Sequence, residues 1–153
     1  MQFSRKQLRA MTWWCPGSED EKYDALVCDG AVRSGKTLCM GLGFVCWAMA
    51  SFSGKSFAIC GKTVRSLKRN LITTLLPALT AAGFHYGLKN GEGLLTVTAG
   101  RCRNRFYLFG GRDSSSAALI QGITLAGVLF DEAALMPREF VEQALARCSV
   151  EGS

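Results

Sequence analysis

The strongest constraint on this chain is the segment GAVRSGKT, which covers residues 30–37. It matches the pattern G-x-x-x-x-G-K-[ST], in which the backbone N–H groups of a loop surround phosphate groups. An apolar run over Asp24–Asp29 predicts a short buried strand before the loop. The sequence of residues 36–52, KTLCMGLGFVCWAMASF, predicts a buried helix after it. A strand, a glycine turn and a helix N-terminus together form an anion-binding site. An ordinary glycine turn is the alternative interpretation.

The residues of this loop have predicted roles in nucleotide binding. Lys36 is expected to reach the outer phosphates, and the Thr37 hydroxyl is expected to bind Mg²⁺. Arg33 is a candidate for stabilising charge on the transferred phosphoryl group, in its own subunit or a neighbouring one. The alternative for Arg33 is an ion pair with an acid such as Asp29. The predicted nucleotide-binding set is Gly30, Ala31, Val32, Arg33, Ser34, Gly35, Lys36 and Thr37.

Composition indicates a folded domain, because 48% of the 153 residues are hydrophobic and only 20% are charged. The seven cysteines form no C-x-x-C pair and lie mostly in apolar segments. This pattern predicts reduced, buried thiols in a cytoplasmic protein and no structural zinc site. The N-terminal segment has no signal-peptide core, and the longest apolar run is too short for a membrane span. We therefore expect no membrane partner.

The charge is unevenly distributed. Between Gly30 and Arg112 the sequence contains twelve Lys and Arg residues, and the only acid there is Glu92. Such a basic region is expected of a nucleic-acid partner, and a solvated surface with chance asymmetry is the alternative. Three of the cations crowd one face of a predicted helix over residues 63–83, where a solvated helix face is again the alternative. They are Arg65, Lys68 and Arg69.

The order of predicted elements indicates an α/β fold with a mainly parallel sheet and flanking helices. After the helix that follows the loop come a strand at residues 55–60 and the helix over residues 63–83, kinked or divided by Pro77. A β-meander follows, with KNGEG as one turn and AGRCRN, which Arg105 follows directly, as the next. The second turn is expected to carry Arg101, Arg103 and Arg105. Residues 110–124 are expected to form a polar loop with one helical turn.

A second motif, GVLFDEAA at residues 127–134, is an apolar strand that ends in Asp131 and Glu132. Burying two carboxylates is costly unless they bind a cation, and a nucleotide-bound Mg²⁺ would be such a cation. Asp131 is therefore a predicted Mg²⁺ ligand together with Thr37. Glu132 is predicted to polarise the attacking water as a general base, so the predicted catalytic residues are Glu132 and Arg33. An acid directly after Asp131 favours an NTP-hydrolysing motor over a nucleotide kinase.

With GAVRSGKT followed by IQGITLAGVLFDEAALMP at residues 120–137, the sequence resembles the ATPase domain of the large subunit of a PBSX-type tailed-phage terminase. The resemblance runs from Phe3 to the end of the chain. It implies an ASCE-type P-loop NTPase fold that uses ATP and Mg²⁺ to package double-stranded DNA in the host cytoplasm. It also implies a phage or prophage origin, a homo-oligomeric ring, and the small terminase subunit and capsid portal as partners. By this resemblance, adenine contacts are expected near Gln7 or the Trp13–Trp14 pair.

Members of that family continue with a coupling motif and a C-terminal nuclease, whereas this sequence stops at Ser153, soon after the helix expected to follow Asp131. Residues 1–153 are expected to form one partial ATPase domain, incomplete at its C-terminus and without a nuclease domain. The strand that normally lies between those carrying the two motifs has no counterpart. The chain alone is therefore expected to hydrolyse ATP poorly and neither to package nor to cut DNA. Two alternatives stay open: another P-loop nucleic-acid motor such as a helicase-like ATPase, and a nucleotide- or DNA-binding module without turnover.

Overall fold

The computed structural model describes residues 2–29 and 35–153. The helices are α1 (Arg5–Thr12), α2 (Lys36–Ser51), α3 (Val64–Leu67), α4 (Thr73–Ala81), α5 (Ser114–Gln121) and α6 (Arg138–Ala146). The strands are β1 (Ser56–Gly61), β2 (His85–Lys89), β3 (Leu94–Ala99), β4 (Cys102–Gly110) and β5 (Val128–Phe130). A π-helical segment, Lys68–Ile72, joins α3 to α4, and a 3₁₀ turn, Ala133–Leu135, follows β5.

The five strands form one sheet in the order β2-β3-β4-β1-β5. β4, β1 and β5 pair in parallel, whereas β2, β3 and β4 pair in antiparallel fashion. The predicted meander is present, and it extends the sheet, because its last strand is also the parallel neighbour of β1. The sheet is therefore mixed, and its parallel half brings the carboxyl ends of β1, β4 and β5 to one edge.

Helices cover the two sheet faces unequally. On one face, α2 and the α3–α4 segment bury a core that includes Phe57, Ile59 and Phe106. On the other face, residues of α5 and α6 bury Ala58 and Cys60, which belong to β1. β2 and β3 contribute side chains to the first core, and none of their residues belongs to the second.

All seven cysteines are free, and burial raises the pKa of the Cys60 thiol.

A buried amide joins α2 to β4. The Asn104 side chain is 0% exposed. Its Nδ2 donates to the carbonyl oxygens of Ala48 (3.1 Å) and Phe52 (2.9 Å), and its Oδ1 accepts from the Lys55 N–H (2.9 Å). The C-terminus of a helix leaves carbonyl oxygens without intrahelical partners. Asn104 therefore satisfies the Phe52 carbonyl, adds a second donor to the Ala48 carbonyl, which also accepts from the Phe52 N–H at 3.0 Å, and fixes this end of α2 to the sheet.

Gly43 allows α1 to pack directly on α2. A Cβ at this position would lie 2.9 Å from Met11 Cα and 3.1 Å from Met11 O, both backbone atoms of α1. Backbone atoms of a packed helix cannot rotate away, so a side chain here would separate the two helices. α1 itself begins with a capping box: Ser4 Oγ accepts from the Gln7 N–H, and Gln7 Oε1 accepts from the Ser4 N–H.

We expect Gly43→Ala to destabilise the protein. Overpacking typically costs about 1–3 kcal/mol, whereas exchanging glycine for alanine inside a helix gains only about 1 kcal/mol. The reverse exchange in the same helix, Ala50→Gly at an exposed position, should lose only that propensity difference. Denaturant unfolding of both variants gives the two free energies. A stabilised Gly43→Ala variant would contradict the close α1–α2 contact.

The predicted strand over Asp24–Asp29 is wrong: this segment forms no strand, and Val27 is 89% exposed. A strand persists only where its backbone N–H and C=O groups have partners. Within the described part of the chain, the sheet ends at β5, whose paired neighbour is β1. An apolar run without a strand beside it therefore remains exposed and irregular.

The predicted helix over residues 63–83 is present, but Pro77 lies inside α4 and does not divide it. The departure from α-helical geometry comes earlier, in the π-helical segment. Arg65 and Arg69 are exposed on this element. Lys68 is half-buried and its Nζ donates to the carbonyl oxygen of Asn90 at 3.0 Å, so this cation supports the β2–β3 turn.

Two further expectations need correction. The turn between β3 and β4 contains only Gly100 and Arg101 of the predicted AGRCRN turn, because β4 already begins at Cys102. Arg103 and Arg105 therefore lie in a strand. The segment expected to contain one helical turn forms α5, a helix of eight residues. Among the described residues, no helix has the length and hydrophobicity needed to cross a membrane.

Candidate nucleotide-binding site

The two predicted magnesium ligands meet at the carboxyl edge of the parallel strands. The Thr37 hydroxyl, in the first turn of α2, donates a hydrogen bond to Asp131 Oδ1 at 3.1 Å across a separation of 94 residues. Asp131 directly follows β5, and its N–H donates to the Cys60 carbonyl oxygen of β1 at 2.8 Å. The sheet therefore fixes the backbone of Asp131, and the fold places the carboxylate of this residue next to the start of α2.

Burial raises the pKa of Asp131 above its usual range. The hydrogen bond from Thr37 acts in the opposite direction, and the neighbouring Glu132 charge raises the pKa further. Burial disfavours the ionised form because the carboxylate loses water contacts that its partners do not fully replace. A carboxylate in this position is poised to be stabilised by a cation.

We expect Asp131→Asn to stabilise the ligand-free protein at neutral pH. Because the pKa of Asp131 is raised on folding, its contribution to stability is lost as the pH rises from the ordinary value of 3.8 through the folded value. The advantage of the variant should therefore grow over that pH interval. Thermal melts at several pH values test this, and a variant less stable than the parent at pH 7 would contradict it. With Mg²⁺ and ADP present the order should reverse, since only the parent retains the carboxylate ligand.

Glu132 has an unusual backbone. With φ 59° and ψ 52°, it is the only non-glycine residue with positive φ among those that the structure describes. A side chain in this left-handed conformation costs about 1 kcal/mol or more. Its carbonyl oxygen accepts from the Leu135 N–H at 2.9 Å, which closes the 3₁₀ turn, and its side chain is exposed. The predicted general base therefore stands at a sharp, strained turn directly after the half-buried Asp131.

The end of the predicted phosphate loop lies against α1. Gly35 has φ 73° and precedes α2, and a Cβ there would lie 2.9 Å from Gln7 Nε2. The structure thus brings Gln7, one candidate for an adenine contact, beside Gly35, the last glycine of the predicted loop. The tryptophan candidates are half-buried, and Trp14 Nε1 donates to the Met11 carbonyl oxygen at 3.0 Å.

Some predicted site residues fall outside the described part of the chain. They are Gly30, Ala31, Val32, Arg33 and Ser34. Their roles in phosphate binding, and the role of Arg33 in catalysis, therefore stay predictions. Lys36 begins α2 and is half-buried one position before Thr37.

Asp113 contributes to this edge, although the sequence motifs did not identify it. Its Oδ2 accepts from the Val64 N–H at 2.9 Å, so a residue that follows β4 holds the start of α3, which follows β1. Ser116 Oγ accepts from the Gly110 N–H at 2.9 Å next to it. The signal available in sequence was an aspartate directly before a helix-compatible segment. Its carboxylate, however, binds another helix instead of its own.

No protein-family model and no curated protein matches the chain. Solved structures do. The large terminase of a thermophilic bacteriophage matches with a TM-score of 0.97 and 49% identity, over 99% of this chain and 37% of that one. The same terminase in complex with ADP matches with a TM-score of 0.93 and 48% identity over the same shares. The large terminase ATPase domain of Thermus phage P74-26 has a TM-score of 0.57 and 19% identity, over 78% of this chain and 52% of that one.

The chain is a mixed α/β domain, and its fold is that of an ATPase domain. At 49% identity over 99% of its residues, the chain belongs to the bacteriophage large terminase family. It spans 37% of the length of the terminase structure to which it is so similar. Its assignment to the PBSX type stays a prediction.

Proposed function

We propose that this chain is the ATP-binding and ATP-hydrolysing portion of a viral DNA-packaging motor. The observation that carries the proposal is the contact between the Thr37 hydroxyl and the Asp131 carboxylate, 3.1 Å apart at the carboxyl ends of parallel strands. Ligands in open α/β sheets bind at this edge. The similar phage terminase was solved with ADP bound, which supports the same ligand class here.

The residues present fit a magnesium ion. Mg²⁺ prefers oxygen ligands and commonly uses one or two protein groups together with phosphate oxygens. Thr37 and Asp131 offer a hydroxyl and a carboxylate at hydrogen-bonding distance, and the carboxylate is partly desolvated. These two side chains would hold the ion. When bound, it would neutralise charge on the phosphate oxygens of ATP.

The other residues would position and activate the reactants. Lys36, at the N-terminus of α2, would pair its ammonium group with the outer phosphates, where the helix dipole also favours negative charge. Glu132, exposed beside Asp131, would accept a proton from the attacking water. Arg33 would stabilise charge on the transferred phosphoryl group, and Gln7 would contact adenine. Asp113 would maintain the spacing of the edge without touching the nucleotide.

Titration with ADP, with and without Mg²⁺, together with ATP hydrolysis assays with and without DNA, tests this function. We expect Mg²⁺-dependent ADP binding and hydrolysis that DNA stimulates. DNA unwinding coupled to hydrolysis would instead favour a helicase-like ATPase. Binding without turnover in the presence of DNA and the remaining terminase domains would favour a module that only binds. No affinity for ADP under any of these conditions would contradict the proposal.

In the complete motor we propose double-stranded DNA as the substrate, with the small terminase subunit and the capsid portal as partners. A ring of identical subunits in the host cytoplasm would carry out packaging. Addition of portal-containing empty capsids to the hydrolysis assay tests the packaging assignment directly. DNA protected from nuclease inside capsids is the expected result.

A further inference from the structure

On one face of the meander, the part beside the amino half of β4 is covered by no described helix, whereas Tyr107 and Phe109, farther along β4, pack with residues of α5 and α6. Side chains alternate along β2, β3 and β4, so Leu95, Val97 and Phe106 point into the core on one side. The intervening positions point outward in three rows that cross the three strands, and the row of Lys89, Leu94 and Tyr107 lies nearest the carboxyl end of β4. The other two rows lie nearer its amino end. One row contains His85, Thr98 and Arg103, and the other contains Gly87, Thr96 and Arg105. We call these six residues the outward face.

The outward face is positively charged. Arg103 and Arg105 are exposed and form no ion pair with any described residue. No outward position of β2, β3 or β4 holds a carboxylate. The two acids that flank these arginines in sequence have other partners: Glu92, in the β2–β3 turn, pairs with Lys89 at 3.4 Å, and Asp113, beyond the carboxyl end of β4, accepts from the Val64 N–H. The two arginines therefore lack an acidic partner within the sheet that carries them.

These charges lie far from the candidate nucleotide-binding site. Arg103 is near the amino end of β4, whereas Gly110 ends that strand at the carboxyl edge. At about 3.3 Å per residue, the two positions are roughly 23 Å apart along the strand. Arg105 is roughly 17 Å from the same edge by the same measure. A nucleotide bound at Thr37 and Asp131 is therefore not the polyanion that the outward face would bind.

We infer that the outward face binds the phosphate backbone of duplex DNA without reading its sequence. The inference rests on the proposed function, from which it takes DNA as the partner. Arginine guanidinium groups bind phosphates through paired N–H donors, and the Thr96 and Thr98 hydroxyls add neutral donors of the kind that position phosphates. The face is built from strand positions and has no projecting element that could enter a groove. It therefore fits backbone contact alone.

Two variants test the face from opposite directions. Arg103→Gln combined with Arg105→Gln removes two phosphate partners. Gly87→Glu adds an opposing charge at a position where a Cβ would have no atom within 4 Å. The matched control is Gly91→Glu in the β2–β3 turn, where a Cβ also meets nothing within 4 Å. All three should retain the thermal stability and ADP affinity of the parent protein.

Binding of two labelled duplexes of unrelated sequence is measured across a range of salt concentrations. For the arginine pair we expect binding about 10- to 100-fold weaker near 0.1 M salt. The slope of the logarithm of the binding constant against the logarithm of the salt concentration should also become shallower, by the amount that about two phosphate contacts contribute. Both duplexes should be affected equally. Gly87→Glu should also weaken binding, and Gly91→Glu should stay close to the parent.

Unchanged DNA binding in both outward variants, with ADP affinity intact, would overturn this inference and leave the proposed function standing. Equal weakening by Gly91→Glu would also overturn it, because net charge alone would then explain the effect. Loss of binding to only one duplex would contradict backbone contact. Failure of the parent protein itself to bind ADP would instead contradict the proposed function.

Discussion

Glu132→Gln is expected to lower the rate of ATP hydrolysis by about 10²- to 10⁴-fold while leaving nucleotide affinity unchanged. General acid–base catalysis contributes a factor of this size. The substitution keeps the shape of the side chain and removes only its ability to accept a proton. Glu132 is exposed and has no side-chain hydrogen bond to a described residue. The folded structure should therefore tolerate the change.

Single-turnover hydrolysis and ADP titration, both in the complete motor, separate the two effects. Glu139→Gln is a suitable control, since Glu139 is an exposed glutamate in the first turn of α6. Asp131→Asn should behave differently from Glu132→Gln, because it should weaken Mg²⁺-dependent nucleotide binding. If the two variants lost affinity and turnover in the same way, the separate roles assigned to these adjacent acids would be wrong.

Lys36→Ala is expected to weaken ADP binding by about 10- to 150-fold. A hydrogen bond to a charged group contributes about 1.5–3 kcal/mol, and that free energy corresponds to such a change in affinity. Lys36 begins α2 one residue before Thr37, so it lies at the edge where the phosphates are proposed to bind. Adenosine, which has no phosphate, should bind the variant and the parent equally well.

Titration calorimetry with ADP and adenosine measures both affinities. Lys55→Ala provides the control, because Lys55 is exposed and lies just before β1, at the opposite end of that strand from the site. A thermal melt confirms that Lys36→Ala is folded. ADP affinity equal to that of the parent, in a folded variant, would contradict the interpretation of GAVRSGKT as a phosphate loop.

Much of the site could be predicted because its chemistry is concentrated in two short segments. The pairing of Thr37 with Asp131 followed from two motifs, and the structure places the two oxygen atoms 3.1 Å apart. The strand β1, the β2–β3–β4 meander and β5 were also predicted, since their apolar patterns match their burial. The contribution of Asp113 was not predictable, because its carboxylate caps a helix 49 residues away in sequence.

The errors concern features that depend on neighbours distant in sequence. Asp24–Asp29 has the composition of a strand, but composition does not reveal whether another strand lies beside it. The sequence predicts Arg103 and Arg105 in a turn, where they alternate with Cys102 and Asn104. In the structure, Asn104 is fully buried and binds the end of α2. The alternation was therefore the signature of a strand with one charged side.

The buried Asn104 has a consequence for how the chain folds. Strand pairing can slip, and a shift of one residue turns every side chain to the opposite face. A slipped β4 would force Arg103 and Arg105 into the core, remove Phe106 from it, and leave the carbonyl groups at the end of α2 without their amide partner. Desolvated, unpaired charges are among the costliest errors that a folding chain can make. The alternation that gives β4 its charged side thus makes misaligned pairing of this strand unfavourable. Correct pairing of β4 with both of its neighbours is therefore required before the domain can assemble.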